Sequence, residues 1–331
     1  MASDDRLPSC SIIVPTYRRP GQLAECLDAL AALEYPRDRL EAIVVDDGGG
    51  EQLDDIVAGV RDRLDVVLLR QQHAGPSTAR NTAVSRARGD LLVFTDDDCR
   101  PAPDWLLRLS GGHVASPDVI LGGHTLNALE ENSYSAVSQL IIDAGYERHN
   151  SEREDAGFFT TNNLAVPAAG LRRVGGFDSR LWTSEDRDLC DRWVGRGNHM
   201  HYIPEALVLH YHHLTLRRFW GQHFRYGRGA CLFHRLHHHR TQQRIRLEPS
   251  FYLGLHAEAF RRYRRRHAVR IQALLFVWHV ANAAGYLWEA LVGVRPGRSK
   301  HRGGEDPRPA ETEGPKGQAG GLDASGDTIP P

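Results

Sequence analysis

Three consecutive aspartates, Asp96-Asp97-Asp98, close the apolar run LLVF and precede Cys99. An apolar run of that length reads as a buried strand. Three carboxylates at its end repel one another unless a cation sits among them. Oxygen-only ligands suit Mg2+ or Mn2+, and a protein that offers one or two carboxylates usually holds such an ion jointly with a substrate's phosphates. The chemistry on offer is the neutralisation of a diphosphate. A second acidic pair, Glu185-Asp186, opens the stretch EDRDLCDRWV. A carboxylate there can take a proton from a hydroxyl as general base, or simply sit at a helix N-terminus, where negative charge is favoured.

Other polar clusters follow apolar runs in the same way: Thr16-Tyr17-Arg18, Asp46-Asp47 and the stretch 75–81. The elements that must position them are legible. Residues 11–14 (SIIV), 41–45 (EAIVV), 66–69 (VVLL) and 91–94 read as strands, separated by helical patterns at 22–33, 53–64 and 77–88, with Ser77 as a candidate N-cap. Strand and helix alternate and the strands are continuously apolar. The fold class is therefore α/β, a mainly parallel sheet flanked by helices. Ligands of such sheets bind outside the carboxyl ends of the strands, where the polar clusters fall. The second half is less regular: a short helix at 103–109, strands at 119–121 and 158–166 with Asn162 and Asn163 inside the latter, a turn at Gly175-Gly176, and a helix over 184–194.

The chain has 331 residues, enough for one large or two ordinary domains, and its 41% hydrophobic and 25% charged composition is that of a globular protein. A net charge of −1 gives no general affinity for nucleic acid, although fourteen arginines fall between Arg217 and Arg270 against two acids, Glu248 and Glu258. That basic segment contains no nucleic-acid reading module, so no nucleic-acid partner is expected. Five scattered cysteines, none in a CxxC pair, argue against a disulfide framework or a structural zinc site. The polar start MASDDRLPSC lacks a signal-peptide core, and a cytoplasmic location is the expectation.

The ordered set SIIVPTYRRP, VVDDGG, GPSTARN, VFTDDDCRP, TNNLAVP, VGGFD and SEDRDLCDRW resembles a family 2 inverting glycosyltransferase of the GT-A fold, over roughly residues 9–213. The resemblance implies a nucleotide-diphosphate sugar donor and an acceptor that is a saccharide, a lipid-linked molecule or a small molecule. It places Pro15 and Tyr17 at the nucleotide base, with Asp47 accepting from a base N–H, and so favours UDP- or dTDP-sugars. Arg80 and Asn81 would line the nucleotide-sugar pocket. Asp96 would face the ribose or sugar. Asp98, with Asp96 and His210, would hold Mg2+ or Mn2+, which helps the diphosphate leave. Asp186, beside Glu185, would be the base, with Asp188 orienting the loop or acceptor. Asn162 and Asn163 would meet sugar or acceptor, or else satisfy backbone. Arg225 and Arg228, near Gly227 and Gly229, would form a mobile lid over the diphosphate, or a solvated basic face.

Residues 1–215 are read as the catalytic domain, 216–294 as the lid and C-terminal helices, and 295–331 as a disordered tail rich in Gly, Pro and charge. The apolar stretch 271–292 follows RRYRRRHAVR. It could lie on a membrane surface through Leu275, Trp278, Leu287 and Trp288 with the arginines on anionic headgroups, pack on the domain or a partner, or span the bilayer. Two other functions remain open: a metal-dependent nucleotidyltransferase, and a non-catalytic peripheral membrane module.

Overall fold

The structure is a computed structural model that describes residues 7–50, 52–245 and 249–293. The tail expected at 295–331 lies outside the described residues, and the described residues up to Gly293 belong to one compact unit. In chain order the elements are β1 (Cys10–Thr16), α1 (Pro20–Ala31), β2 (Leu40–Asp46), α2 (Asp54–Ala58), β3 (Asp65–Arg70), α3 (Pro76–Val84), β4 (Leu91–Phe94), β5 (Cys99–Pro101), α4 (Trp105–Ala115), β6 (Ile120–Asn127), α5 (Ser133–His149), β7 (Leu164–Pro167), α6 (Ala168–Val174), α7 (Glu185–Val194), β8 (Met200–His210), α8 (Leu216–Thr241), α9 (Pro249–Arg262) and α10 (Arg265–Val292).

Eight strands form one sheet in the order β3-β2-β1-β4-β7-β6-β8-β5. The half from β3 to β4 is wholly parallel, as the continuous apolar runs require. Successive strand residues point to opposite faces, so Ile12, Val14, Ala42, Val44 and Val93 enter one core while Ile13, Ile43, Val45, Leu92 and Phe94 enter the other. Beyond β4 the sheet is mixed: β7 runs antiparallel to β4 and β6, β6 pairs parallel with β8, and β5 pairs antiparallel with β8.

Several local expectations are corrected. The strand expected at 158–166 begins only at Leu164, because Thr161–Asn163 form a 3-10 turn. Ser77 does not cap α3. Gly75 does, at φ +90°, with Pro76 as first helical residue, and the Ser77 hydroxyl donates to the Leu181 carbonyl. Helix α2 is a single turn and a half that stops at Gly59. Helix α5, whose apolar residues do not form a clean stripe in the sequence, is capped by Asn132, which accepts from the Tyr134 and Ser135 amides.

The Arg/His-rich segment folds largely as helix. Helix α8 runs unbroken for 26 residues. Its Gly227 is a packing residue: a Cβ there would sit 2.0 Å from the Asn282 carbonyl oxygen of α10, and one on Gly285 would sit 1.9 Å from the Phe224 oxygen. Backbones that close leave no room for a side chain between the two helices. With α5 and α9, the two helices enclose a third core around Val137, Leu140, Phe219, Leu255, Ile271 and Leu275. Leu275 and Trp278 therefore face protein, not lipid, whereas Leu287 and Trp288 are more than half exposed. Among the described residues no helix is long and apolar enough to cross a membrane.

Candidate active site

The carboxyl ends of β1, β2 and β4 and the N-terminal turns of α3 and α7 meet at one cavity of about 1760 Å³. Pro15, Tyr17, Asp47, Arg80, Asp96, Asp98, Glu185, Asp186, His210 and Arg225 all line it. Residues more than 170 positions apart are thus brought together. Asn81, Asn163 and Arg228 are not.

The aspartates that follow β4 are compensated by two arginines from elsewhere in the chain, with a histidine beside them. Arg19, which follows β1, gives one guanidinium nitrogen to Asp97 at 3.0 Å and to Asp98 at 2.9 Å. Arg80 reaches Asp96 at 2.9 Å. His210, at the end of β8, lies 3.2 Å from the Asp98 carboxylate. Burial acts to raise the pKa of Asp98, but the hydrogen bond and charge of His210, with Arg19, hold it well below the usual carboxylate range. Burial likewise acts against a charged His210, and Asp98 more than offsets it, so the imidazole pKa is raised. Asp97 sits deepest; burial pushes it up to about 6 despite Arg19 and the Thr16 hydroxyl at 2.7 Å.

Asp98 and His210 fit a divalent ion. With Cys99 they form a group whose ligand atoms lie within 4.8 Å of one another. Burial holds the Cys99 thiol protonated, with its pKa far above the ordinary value, which leaves one carboxylate oxygen and one imidazole. Two protein ligands of that kind suit Mn2+, and Mg2+ less well, with the remaining positions open to phosphate and water.

Arg80 is the clamp between the two acidic clusters. Its guanidinium is 4% exposed and donates to Asp96 and, at 2.7 Å, to Glu185. It fixes the end of β4 against α7 instead of offering a free fork to a diphosphate. Its Nε is buried without a partner among the described residues. The neighbouring Asn81 braces the same region from outside the cavity, exchanging two hydrogen bonds with the backbone of Phe177. Asp186 follows Glu185 and, among the described residues, accepts a single hydrogen bond, from the Arg187 amide at 2.7 Å. Burial, then the Glu185 charge, raise its pKa to about 7. A carboxylate poised near neutrality and hydrogen-bonded on one oxygen has the properties of a general base. Asp188 is fully buried, held by Arg192 and Arg240 at 2.7 Å each, and ties α7 to α8.

Asp47 is braced by the protein. Its carboxylate accepts from Gln71, His73 and the amides of Ala74 and Gly75, at 2.7–2.9 Å. A carboxylate has about four lone-pair sites, and four protein donors share them here. Asp47 thereby shapes the loop that carries His73. The His73 ring stacks on Tyr17 at 4.1 Å and meets Trp182 edge-on at 5.2 Å, forming an aromatic lip. Asn163 is satisfied by backbone, donating to the His124 and Ala206 carbonyls and accepting from the Trp105 indole; Asn162 lines the cavity. Arg228 is engaged by Glu289 at 2.8 Å, on the α10 side of α8. Arg19, His73 and Trp182 were not singled out from sequence; only the doubled arginine of TYRRP hinted at the first.

The model of the family described as glycosyl transferase family 2 matches residues 11–176, half of the chain. The chain belongs to glycosyl transferase family 2. A pre-mycofactocin glycosyltransferase of Mycobacterium tuberculosis is 28% identical over 229 residues, 67% of this chain and 46% of the relative. The glycosyltransferase AglE of Haloferax volcanii is 33% identical over 209 residues, 62% of this chain and 67% of that protein. The chain spans about half the length of the first curated relatives it matches. Among solved structures, a mannosyltransferase from Pyrobaculum calidifontis in complex with GDP-Man and Mn2+ superposes with a TM-score of 0.61 at 19% identity, covering 86% of this chain and 88% of that one. The Staphylococcus aureus TarS fragment in complex with UDP-GlcNAc gives 0.51 at 16% identity, covering 86% and 92%. These neighbours share the GT-A fold with this family 2 chain.

Proposed function

We propose that this family 2 protein transfers a sugar from a nucleotide-diphosphate sugar to an acceptor hydroxyl by a single, inverting displacement. The observation that carries the reading is that Asp98 and Asp186, 88 positions apart, line one cavity with opposite electrostatic settings. Asp98 is held ionised beside His210, where Mg2+ or Mn2+ would be bound and would stabilise the departing diphosphate as a Lewis acid. Asp186 sits near neutrality, free to accept the acceptor's proton as its oxygen attacks C1. Arg80 holds Asp96 and Glu185 in register. Pro15, Tyr17 and the His73 loop braced by Asp47 form the wall for the base, which suits a pyrimidine, so UDP- and dTDP-sugars lead. Arg225, in the cavity wall, is the α8 donor available to a phosphate. Residues 1–215 carry the chemistry, and 216–294 wall the acceptor side.

The nucleotidyltransferase alternative has no support from the site, since a general base for a sugar acceptor has no role in it. A peripheral membrane location has one supporting observation. Val269, Phe276, Val280 and Leu291 recur at helical spacing on the exposed face of α10, next to the exposed Arg264, Arg265, Arg266 and Arg270. Salt-sensitive sedimentation with phosphatidylglycerol vesicles that Phe276→Ser weakens is expected.

The direct test is a panel of UDP-, dTDP- and GDP-sugars with Mn2+, read by nucleotide release and by product anomericity. The reading expects β-linked product from an α-linked donor and at least 100-fold loss in Asp186→Asn. Retained configuration, or full activity in that variant, would refute it.

A further inference from the structure

The cavity is too large for a donor alone. Sites for one small ligand run to about 300–1,000 Å³, and this cavity measures about 1760 Å³. Besides the residues around Asp186, its lining includes a side made by α5, α8, α9 and α10, here called the arm. Tyr226, Tyr252, Trp278 and Ile141 line that arm, with Tyr252 and Trp278 6.1 Å apart between ring centres.

Two polar side chains in the lining, one on α5 and one on α8, have no partner among the described residues. The Ser138 hydroxyl on α5 and both ring nitrogens of His223 on α8 are buried and make no hydrogen bond to any described residue. Ser138 is 7% exposed and His223 3%. His223 packs edge-on to Phe219 at 4.4 Å and Trp278 at 6.4 Å, contacts that satisfy its carbon atoms and not its nitrogens. Buried polar groups are nearly always hydrogen-bonded, and each exception asks for a reason. Two such residues in the lining of one cavity, among aromatic rings, have the composition of a ligand site: apolar walls with a few polar groups close behind them.

We propose that this arm is the acceptor site, and that it takes an alcohol built on an apolar body, with Ser138 and His223 meeting the acceptor's own polar groups. The inference rests on the glycosyl-transfer reading for the word acceptor, but not for the occupancy of the arm. A free sugar would leave Tyr252, Trp278 and Ile141 with little apolar surface to cover. An acceptor with an alkyl or ring aglycone would cover them while its hydroxyl reached Asp186.

The test compares n-octyl and methyl β-D-glucopyranoside, below the micellar range, by saturation-transfer NMR and calorimetry on the full chain. The octyl probe is expected to bind at least tenfold tighter. Ser138→Phe, which fills the arm, should weaken it at least fivefold, while Phe276→Ser on the outer face of α10 should leave it unchanged. His223→Leu should raise the melting temperature, by removing unpartnered nitrogens, and weaken octyl binding; a rise with unchanged binding would overturn the role of His223. If Ser138→Phe does not fold, Tyr252→Ala reads the same wall. Equal affinity for the two probes, or loss in Phe276→Ser but not in the arm variants, would overturn the proposal. Binding of UDP with Mn2+ is measured alongside: its failure with the octyl result intact would sink the glycosyl-transfer reading and leave the arm standing.

Discussion

Replacing Asp186 by Asn should stabilise the protein and disable it. The carboxylate carries a raised pKa, from 3.8 to about 7, because burial and then Glu185 oppose its charge. The folded state therefore holds this proton more tightly than the unfolded chain does. Where the folded state binds more protons, stability falls as pH rises, so the penalty grows from about pH 4 to about pH 7 and is complete above that. One pKa unit is worth about 1.4 kcal/mol. The full step gives a ceiling of about 4 kcal/mol, and about 2 kcal/mol once water reaching the open cleft is allowed for. Asn has no charge to desolvate. Melting followed by near-ultraviolet circular dichroism should show Asp186→Asn about 4–6 °C above wild type at pH 8 and level with it at pH 4. The same proton sets the rate. For wild type, kcat/KM should rise about tenfold per pH unit below about 7 and flatten above, because it reports the free enzyme's base. A variant that melts lower at pH 8, or a pH-independent gap between the two proteins, would refute the electrostatic account. Wild-type-like turnover in the variant would refute the role.

Arg80→Met should cost about 3–5 kcal/mol at pH 8, because it strands Glu185 and Asp96 without their shared cation. Thermal melts at pH 8 should show that loss, and an unchanged midpoint would refute the clamp. Gly285→Ala should cost about 2–3 kcal/mol by urea unfolding, since its Cβ would meet the Phe224 oxygen at 1.9 Å and force α8 from α10; an unchanged midpoint would show that the helices are not locked. His73→Ala should weaken UDP binding in calorimetry, by loss of the ring stacked on Tyr17, while leaving Mn2+ affinity in place.

The parallel half of the fold was readable because its inner strands are buried on both faces and are therefore almost wholly apolar, the buried Ser11 and Glu41 being paired with each other. β1, β2, β3 and β4 fall within a residue or two of the apolar runs. The candidate site was readable for the same reason: carboxylates that end such strands stand out. What could not be read was pairing at a distance. Arg19 and Arg80 each bridge to acids far along the chain, and a guanidinium's partner has no local signature. Asp47 lines the cavity, but its four donors come from a loop whose path depends on Gly75 and Trp182. Helix α10 misleads by composition: it is apolar nearly all round, since one side packs on α8 and α9 and the other meets solvent. Which side Leu275 and Trp278 take depends on Gly227 and Gly285, whose small size shows only in the packed pair.

The most direct test titrates Mn2+ into the protein with and without UDP, following the bound ion by electron paramagnetic resonance, for wild type and Asp98→Ala. Wild type should bind one ion, much more tightly when UDP is present, and Asp98→Ala should lose that uptake while keeping its fold. Undiminished, UDP-linked Mn2+ binding by Asp98→Ala would mean that the aspartates closing β4 do not gather the ion and the diphosphate.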